Sequence, residues 1–305
     1  MMTTEAVIQL IDVHKNYRKV HALRGLNLEV QSGEVFGFLG PNGAGKTTTI
    51  RCMLDLIRPN KGAIRIFGID PQSSPLKVKA KTGYLPGDLK LEGDFTPRRF
   101  FKHIRRLRKD NRSWQDLEQL AKRLDLDLDK KISALSQGNK QKVGLIQSFV
   151  GEVSLLVLDE PTLGLDPLMK QEVLNVIKEE SERGTTVFFS SHILSEVQKI
   201  ADRVGIIRQG RLVEIAQTDD LINRALTRVT IQFKEKVEAL SFNHLTNVEI
   251  LRMNDDYHAY TLEIRGEMDG LIKTLAEFSV SDLSIHRPSL EEVFMKYYQS
   301  KEGEK

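Results

Sequence analysis

An open α/β sheet built around an anion site, followed by a small α+β unit, is the architecture this sequence predicts. Three observations carry that prediction. Apolar runs at Val35 to Leu39, Val153 to Leu158 and Thr185 to Ser190 are each followed by a helical stretch, the alternation that builds a parallel sheet. A glycine-rich turn, Gly40-Pro41-Asn42-Gly43-Ala44-Gly45-Lys46-Thr47-Thr48, joins the first run to a helix expected over Thr49 to Ile57. Past about residue 225 the period shortens to alternation at Val229, Ile231 and Phe233 and again at Tyr260, Leu262 and Ile264.

Size and composition bound the function. At 305 residues and 40% hydrophobic, the chain can bury one large core or a large and a small one. A net charge of +3 does not mark it as a polyanion binder, and no nucleic acid is expected as a partner. Cys52 is the only cysteine, which excludes an internal disulfide and fits a reducing compartment. No apolar run approaches the roughly 18 residues of a membrane span. The opening MMTTEAVIQL has no basic n-region or apolar h-region. The chain is therefore expected in the cytoplasm, with any membrane role supplied by a partner.

Short strands are expected at Val7 to Val13, Leu26 to Val30 and Val35 to Leu39, with Tyr17 in the first connection, where its ring can stack on a purine. Pro59-Asn60-Lys61-Gly62 turns the chain into Ala63 to Phe67, and a further strand runs into Gly83-Tyr84-Leu85-Pro86. Leu91 to Val150 reads as wholly helical. Its first helix starts at Thr96-Pro97 and places Phe100, Ile104 and Leu107 on one face. Arg98, Arg99, Lys102, Arg105, Arg106, Arg108 and Lys109 cover the rest, read first as a solvated charged surface. A contact for anionic lipid headgroups or an acidic partner loop comes next, and a nucleic-acid face last, since no aromatic platform accompanies the charges. Asp166-Pro167 caps a helix to about Arg183, and a hairpin turns at Arg208-Gln209-Gly210-Arg211. The last helix is expected behind a capping box, Ser289 to Glu292. The domain boundary is expected near residue 222, with a helical subdomain over about 91–150.

The chemistry follows from a few residues. In a strand–turn–helix context the glycines let backbone N–H groups converge on phosphate oxygens, and the helix N-terminus adds its partial positive charge. Lys46 is expected to bridge the outer phosphates and the Thr47 hydroxyl to ligate Mg²⁺. Asp159 ends a buried strand, where a carboxylate can hold the same ion. Glu160 is adjacent and points elsewhere, so it can orient and deprotonate a water for in-line attack on the γ-phosphate. His192 ends the following strand at the same edge of the sheet. Ser136 caps a helix opening at Leu135-Ser136-Gln137-Gly138-Asn139-Lys140-Gln141, and with Gly138 it makes a second anion site.

With this order of motifs, the stretch from Tyr17 to about residue 220 resembles an ATP-binding cassette ATPase, in which the segment at 135–141 normally reads LSGGQ. The resemblance implies a P-loop nucleotide-binding domain with an inserted helical subdomain and a small C-terminal α+β domain. It implies that two subunits lie head to tail, each ATP held between one chain's phosphate loop and the other's Ser136 and Gly138. It assigns Glu160 as catalytic base, Asp159 and Thr47 to Mg²⁺, His192 as γ-phosphate sensor and Tyr17 as adenine stack. The partners implied are a second nucleotide-binding subunit and an integral membrane permease, with this chain on the inner face of the cell membrane. Pro288-Ser289-Leu290-Glu291-Glu292-Val293-Phe294 and Gly83-Tyr84-Leu85-Pro86 are similar to segments of the drug-, antibiotic- and lipid-exporting branch.

Two departures stand out. Gly87 occupies the position where the family has a glutamine or glutamate that contacts Mg²⁺, so either Asp88 supplies that oxygen or the contact is absent. Gln137 and Asn139 replace a glycine and a glutamine in the signature, and losing the glycine restricts φ. A cassette ATPase acting on DNA or ribosomes is the alternative, against which stands the lack of a long coiled-coil insertion or second cassette. A regulatory subunit that holds ATP with little turnover is the third reading.

Overall fold

Strands β1 (Ala6–Tyr17) and β2 (Val20–Gln31) pair antiparallel, far longer than the short segments expected, because apolar residues alternate along both. Strand β3 (Val35–Leu39) follows, then helix α1 (Lys46–Met53) and β4 (Lys61–Ile66), which adds to β1 to complete a three-stranded sheet. The computed structural model describes residues 6–110, 113–223, 227–254 and 256–286. Two compact units divide at Ala216 and Gln217.

The helix after the glycine-rich turn is shifted from the expected Thr49 to Ile57. Gly45, at φ 117°, caps it so that Lys46 is its first residue. Asp55 takes a left-handed φ of 50° and the amides of Leu56 and Ile57 both donate to the Arg51 carbonyl, which ends the helix early. Helix α2 (Pro75–Ala80) then leads into β5 (Thr82–Leu85).

Residues 91–150 are not wholly helical. They hold α3 (Pro97–Arg108), α4 (Trp114–Arg123) and α5 (Gln137–Ser148), with a turn-rich stretch and one 3-10 turn at Ile132–Ala134 between the last two. Asp125 in the left-handed region and the Asp127 side chain, which accepts from the Asp129 amide, stop the chain from continuing as helix. In α3 the Thr96 hydroxyl accepts from the Arg99 amide and Pro97 stands at the first turn, as expected. Its buried residue, however, is Phe101, while Leu107 is 67% exposed. Arg108 lies on the inner side instead, donating to the carbonyls of Lys79, Thr82 and Val150, so a guanidinium with apolar stem takes the place expected for leucine.

Strand β6 (Leu155–Asp159), α6 (Pro167–Glu182), β7 (Thr186–Ser191), α7 (Leu194–Ile200), β8 (Arg203–Arg208) and β9 (Arg211–Gln217) complete the first unit. The Asp166 carboxylate accepts from the amides of Leu168 and Met169, the capping expected from Asp-Pro. The six-stranded sheet runs β5-β6-β7-β3-β8-β9, and β5, β6, β7, β3 and β8 are mutually parallel. Every residue of β3, β6 and β7 is buried. Phe188 stacks on Phe36 at 5.8 Å and meets Phe38 tilted by 41° at 5.3 Å, each ring contributing about 2–3 kcal/mol by leaving water. Putting β7 between β6 and β3 brings their three C-terminal ends side by side. Leu39 aligns with Ser191, and Asp159 with Ser190.

The second unit begins with α8 (Thr218–Asn223) and contains β10 (Thr227–Phe233), β11 (Val248–Met253), β12 (Ala259–Ile264), α9 (Asp269–Leu275) and β13 (Val280–His286). Its antiparallel sheet runs β11-β12-β10-β13, and Val229, Ile231, Phe233, Tyr260, Leu262 and Ile264 form its core, as their alternation predicts. The capping box at Ser289 to Glu292 lies outside the described residues.

Candidate active site

The phosphate loop leaves β3 at Gly40 and closes into α1 at Gly45. Both glycines are required by close approach. A Cβ on Gly40 would meet the Ile207 carbonyl oxygen at 2.5 Å, and one on Gly45 the Ala22 carbonyl oxygen at 2.8 Å. The loop from Pro41 to Thr48 borders a hollow of about 390 Å³ together with Val20, His21, Ala22, Arg24, Glu160, Gln209 and Gly210. Lys46 is buried, and its ammonium donates to the carbonyls of Gly40 at 2.6 Å and Pro41 at 3.2 Å. Its Nζ also lies 3.1 Å from Glu160 Oε1, close enough for an ion pair but off hydrogen-bond alignment.

Glu160 is held in an uncommon backbone state. Its φ is 51°, left-handed for a residue with a Cβ, which costs about 1 kcal/mol or more. Three contacts over-determine it. Its amide donates to the carbonyl and the hydroxyl of Ser190, and its carbonyl accepts from Gln141 Nε2 at 3.1 Å. The twist turns the Glu160 side chain away from that of Asp159, as the adjacent-carboxylate reading requires. His192 Nδ1 stands 2.8 Å from Glu160 Oε2. A carboxylate only accepts, so Nδ1 carries the proton and Nε2 is the ring nitrogen left for another partner.

Asp159 is fully buried. Its Oδ1 accepts from Ser190 Oγ at 2.5 Å, while Oδ2 has no hydrogen-bond partner among the described residues. An orphaned carboxylate oxygen at a strand end is the donor a hard cation needs, so Asp159 and the half-buried Thr47 fit a Mg²⁺ ion.

Other expected site residues lie apart from this cluster. Ser136 caps α5, its hydroxyl accepting from the Asn139 amide, and is exposed. Gly138 is pressed against the loop after β6, where a Cβ would meet the Gly164 carbonyl oxygen at 2.9 Å. Neither residue borders the phosphate-loop hollow of its own chain. Tyr17 is the last residue of β1 rather than part of a connection. Its ring is half exposed beneath the Lys15 ammonium at 5.3 Å and also lies outside that hollow. The Asp88 carboxylate is forked by Arg51 of α1, both oxygens at 3.1 Å, and is 66% exposed. Gly87 instead runs directly beside the orphaned oxygen, where a Cβ would come within 3.1 Å of Asp159 Oδ2.

Ser190, Gln141 and the rim residues His21, Arg24 and Gln209 were not singled out by the sequence. Gln141 closes the signature stretch and Ser190 precedes the His192 strand end, so their positions were visible. Their partners were not, since both act on Glu160 across gaps of 19 and 30 residues.

The bacitracin transport ATP-binding protein BcrA of Bacillus licheniformis is 33% identical over 305 residues, 95% of this chain and 96% of its own. The chain belongs to the ABC transporter family. The family's model matches residues 23–163, which include the phosphate loop, the signature and Asp159-Glu160. The daunorubicin resistance ATP-binding protein DrrA3 of Streptomyces coeruleorubidus is 31% identical, over 95% of each chain. A solved ATP-binding subunit of an ABC transporter is 28% identical and superposes with a TM-score of 0.64, covering 70% of this chain and 91% of that one. As a member of this family the chain binds ATP and is an ATPase with the cassette fold.

Proposed function

We propose that this cassette powers export of a substrate through a separate membrane permease, two nucleotide-binding subunits closing around ATP in each cycle. The observation that carries the reading is the end-to-end likeness to antibiotic- and drug-resistance subunits, which spans 95% of this chain and so includes the small second unit. Among the described residues no helix is long and apolar enough to cross a membrane, in keeping with a peripheral subunit on the inner face of the cell membrane.

The geometry of the loop, of Asp159 and of the Glu160–His192 pair supports the following residue roles, and family membership supports the rest. Backbone amides between Asn42 and Thr48 and the Lys46 ammonium bind the β- and γ-phosphates in the hollow. Asp159 and Thr47 would hold Mg²⁺, which when bound neutralises charge building up on the phosphate oxygens. Glu160 orients the attacking water and takes its proton, 2.8 Å from the imidazole that steadies its carboxylate. His192 Nε2 faces the terminal phosphate. Ser136 and Gly138, outside the hollow of their own chain, contact the ATP of the partner subunit. Leu163 and Leu168, 49% and 79% exposed around the Asp166 cap, give the pair an apolar contact. Tyr17, outside the lining of the hollow, stacks on the adenine.

Size-exclusion chromatography of Glu160→Gln with saturating ATP should show a stable dimer. A monomer there removes the composite site. Affinity purification from solubilised membranes should recover a polytopic protein, and recovery of ribosomes or DNA in its place overturns the transport reading.

A further inference from the structure

A second carboxylate behind the catalytic pair has no role in the account so far. Glu196 lies in the first turn of α7 and is 5% exposed, and burying a charge is costly unless it is fully hydrogen-bonded. It meets that requirement with two hydroxyls, one from the loop after β6 and one from the last residue of β7. Thr162 Oγ1 donates to Glu196 Oε1 at 2.6 Å, and Ser191 Oγ donates to Oε2 at 2.8 Å. Lys170 Nζ of α6 stands 3.9 Å from Oε1.

The identity of those partners gives the contact its meaning. Thr162 lies two residues beyond Glu160, and Ser191 immediately precedes His192. The 2.8 Å contact between Glu160 and His192 therefore joins the same two chain segments that Glu196 ties together through Thr162 and Ser191. Ser191 Oγ also accepts from the Ile193 amide at 2.9 Å, which fixes the chain on both sides of His192. Helix α7 is itself firmly seated. A Cβ on Gly37 of β3 would lie 2.6 Å from Val197 Cγ1, so the strand that delivers the phosphate loop and the helix that delivers Glu196 are in direct contact. One carboxylate thus relates the loops of base and sensor to the strand of the phosphate site.

We infer that Glu196 is a positioning residue for ATP hydrolysis, setting the separation of Glu160 and His192 through Thr162 and Ser191. The inference rests on the proposed roles of Glu160 and His192. Positioning errors of this kind act on turnover and leave substrate binding alone, because Lys46 and the loop amides do not touch Glu196.

The test is steady-state ATP hydrolysis alongside ATP binding and thermal melting on the full chain. Glu196→Leu should lower kcat about 10- to 100-fold, with the dissociation constant for ATP within about 2-fold of the unaltered protein. Glu196→Gln keeps the shape but turns one acceptor into a donor, and should lower kcat about 3- to 10-fold with unchanged melting, so it serves even where the leucine variant fails to fold. In a His192→Ala background either substitution should add less than about 2-fold, because the contact it sets is already gone. Full turnover in Glu196→Gln, or an equal loss with and without His192, overturns the inference. Hydrolysis that survives Glu160→Gln would instead refute the reading of the site on which it rests.

Discussion

The six-stranded sheet of the first unit and the four-stranded sheet of the second are made by the same rules and kept to them to different degrees. In the second unit, alternation along β10 and β12 translates directly into a buried face of Val229, Ile231, Phe233, Tyr260, Leu262 and Ile264. Phe233 sits at its centre, 5.9 to 6.4 Å from the rings of Phe242, Tyr260 and Phe278. At the C-terminal edge of the parallel sheet the rules are broken repeatedly. Glu160 adopts a left-handed φ, Asp159 keeps a buried oxygen with no hydrogen-bond partner among the described residues, and Lys46, Glu160 and His192 are drawn together. Departures of this kind are retained where chemistry needs them, and around the phosphate loop they fall on residues that meet one another, whereas the second unit's left-handed Tyr257 stands outside its buried core.

Four substitutions or treatments sharpen or break that contrast, from the largest effect downward. Glu160→Gln should reduce phosphate release about 10²- to 10⁴-fold while ATP still binds. A drop of that size from any substitution inside the second unit would erase the distinction. Phe233→Ala removes a buried ring and should destabilise the second unit by about 3–5 kcal/mol, read as an earlier melting transition, with the ATPase rate of the first unit retained. Loss of hydrolysis with that transition would join the two regions into one functional body.

A smaller effect is expected at Arg123 of α4, which forks Glu179 at 2.7 and 2.8 Å and reaches Glu172 at 2.8 Å, both on α6. The guanidinium holds the Glu179 carboxyl below its ordinary 4.5. Its stabilisation is therefore complete above that value and disappears as the pH falls through the lower folded-state pKa. Arg123 is 39% exposed, so solvent screening limits the pair to about 1 kcal/mol or less. Melting of Arg123→Ala should trail the unaltered chain at neutral pH and match it in strong acid; a gap that persists in acid assigns the effect to packing instead. The smallest signal comes from Cys52. Burial pushes its thiol up to about 11, so thiol reagents at pH 8 should label it only on unfolding. Rapid labelling of the folded chain would show that α1 opens beside the phosphate loop.

Chain order and local chemistry by themselves determined the anion-binding turn, the caps at Thr96, Ser136 and Asp166, the buried strands and the alternating sheet of the second unit. Each of these depends on residues within a few positions of one another, through glycine φ freedom, side-chain capping or strand period. The tertiary structure decided the rest. The order β6-β7-β3 brought Leu39, Asp159 and Ser191 to one edge, and only then did Ser190 and Gln141 hold Glu160 in its twisted state. Long-range packing gave Arg108 the inner position expected for Leu107 and committed Asp88 to Arg51. The Arg108 and Asp88 contacts join residues 26 to 42 positions apart, and their free energy exists only once the sheet has formed.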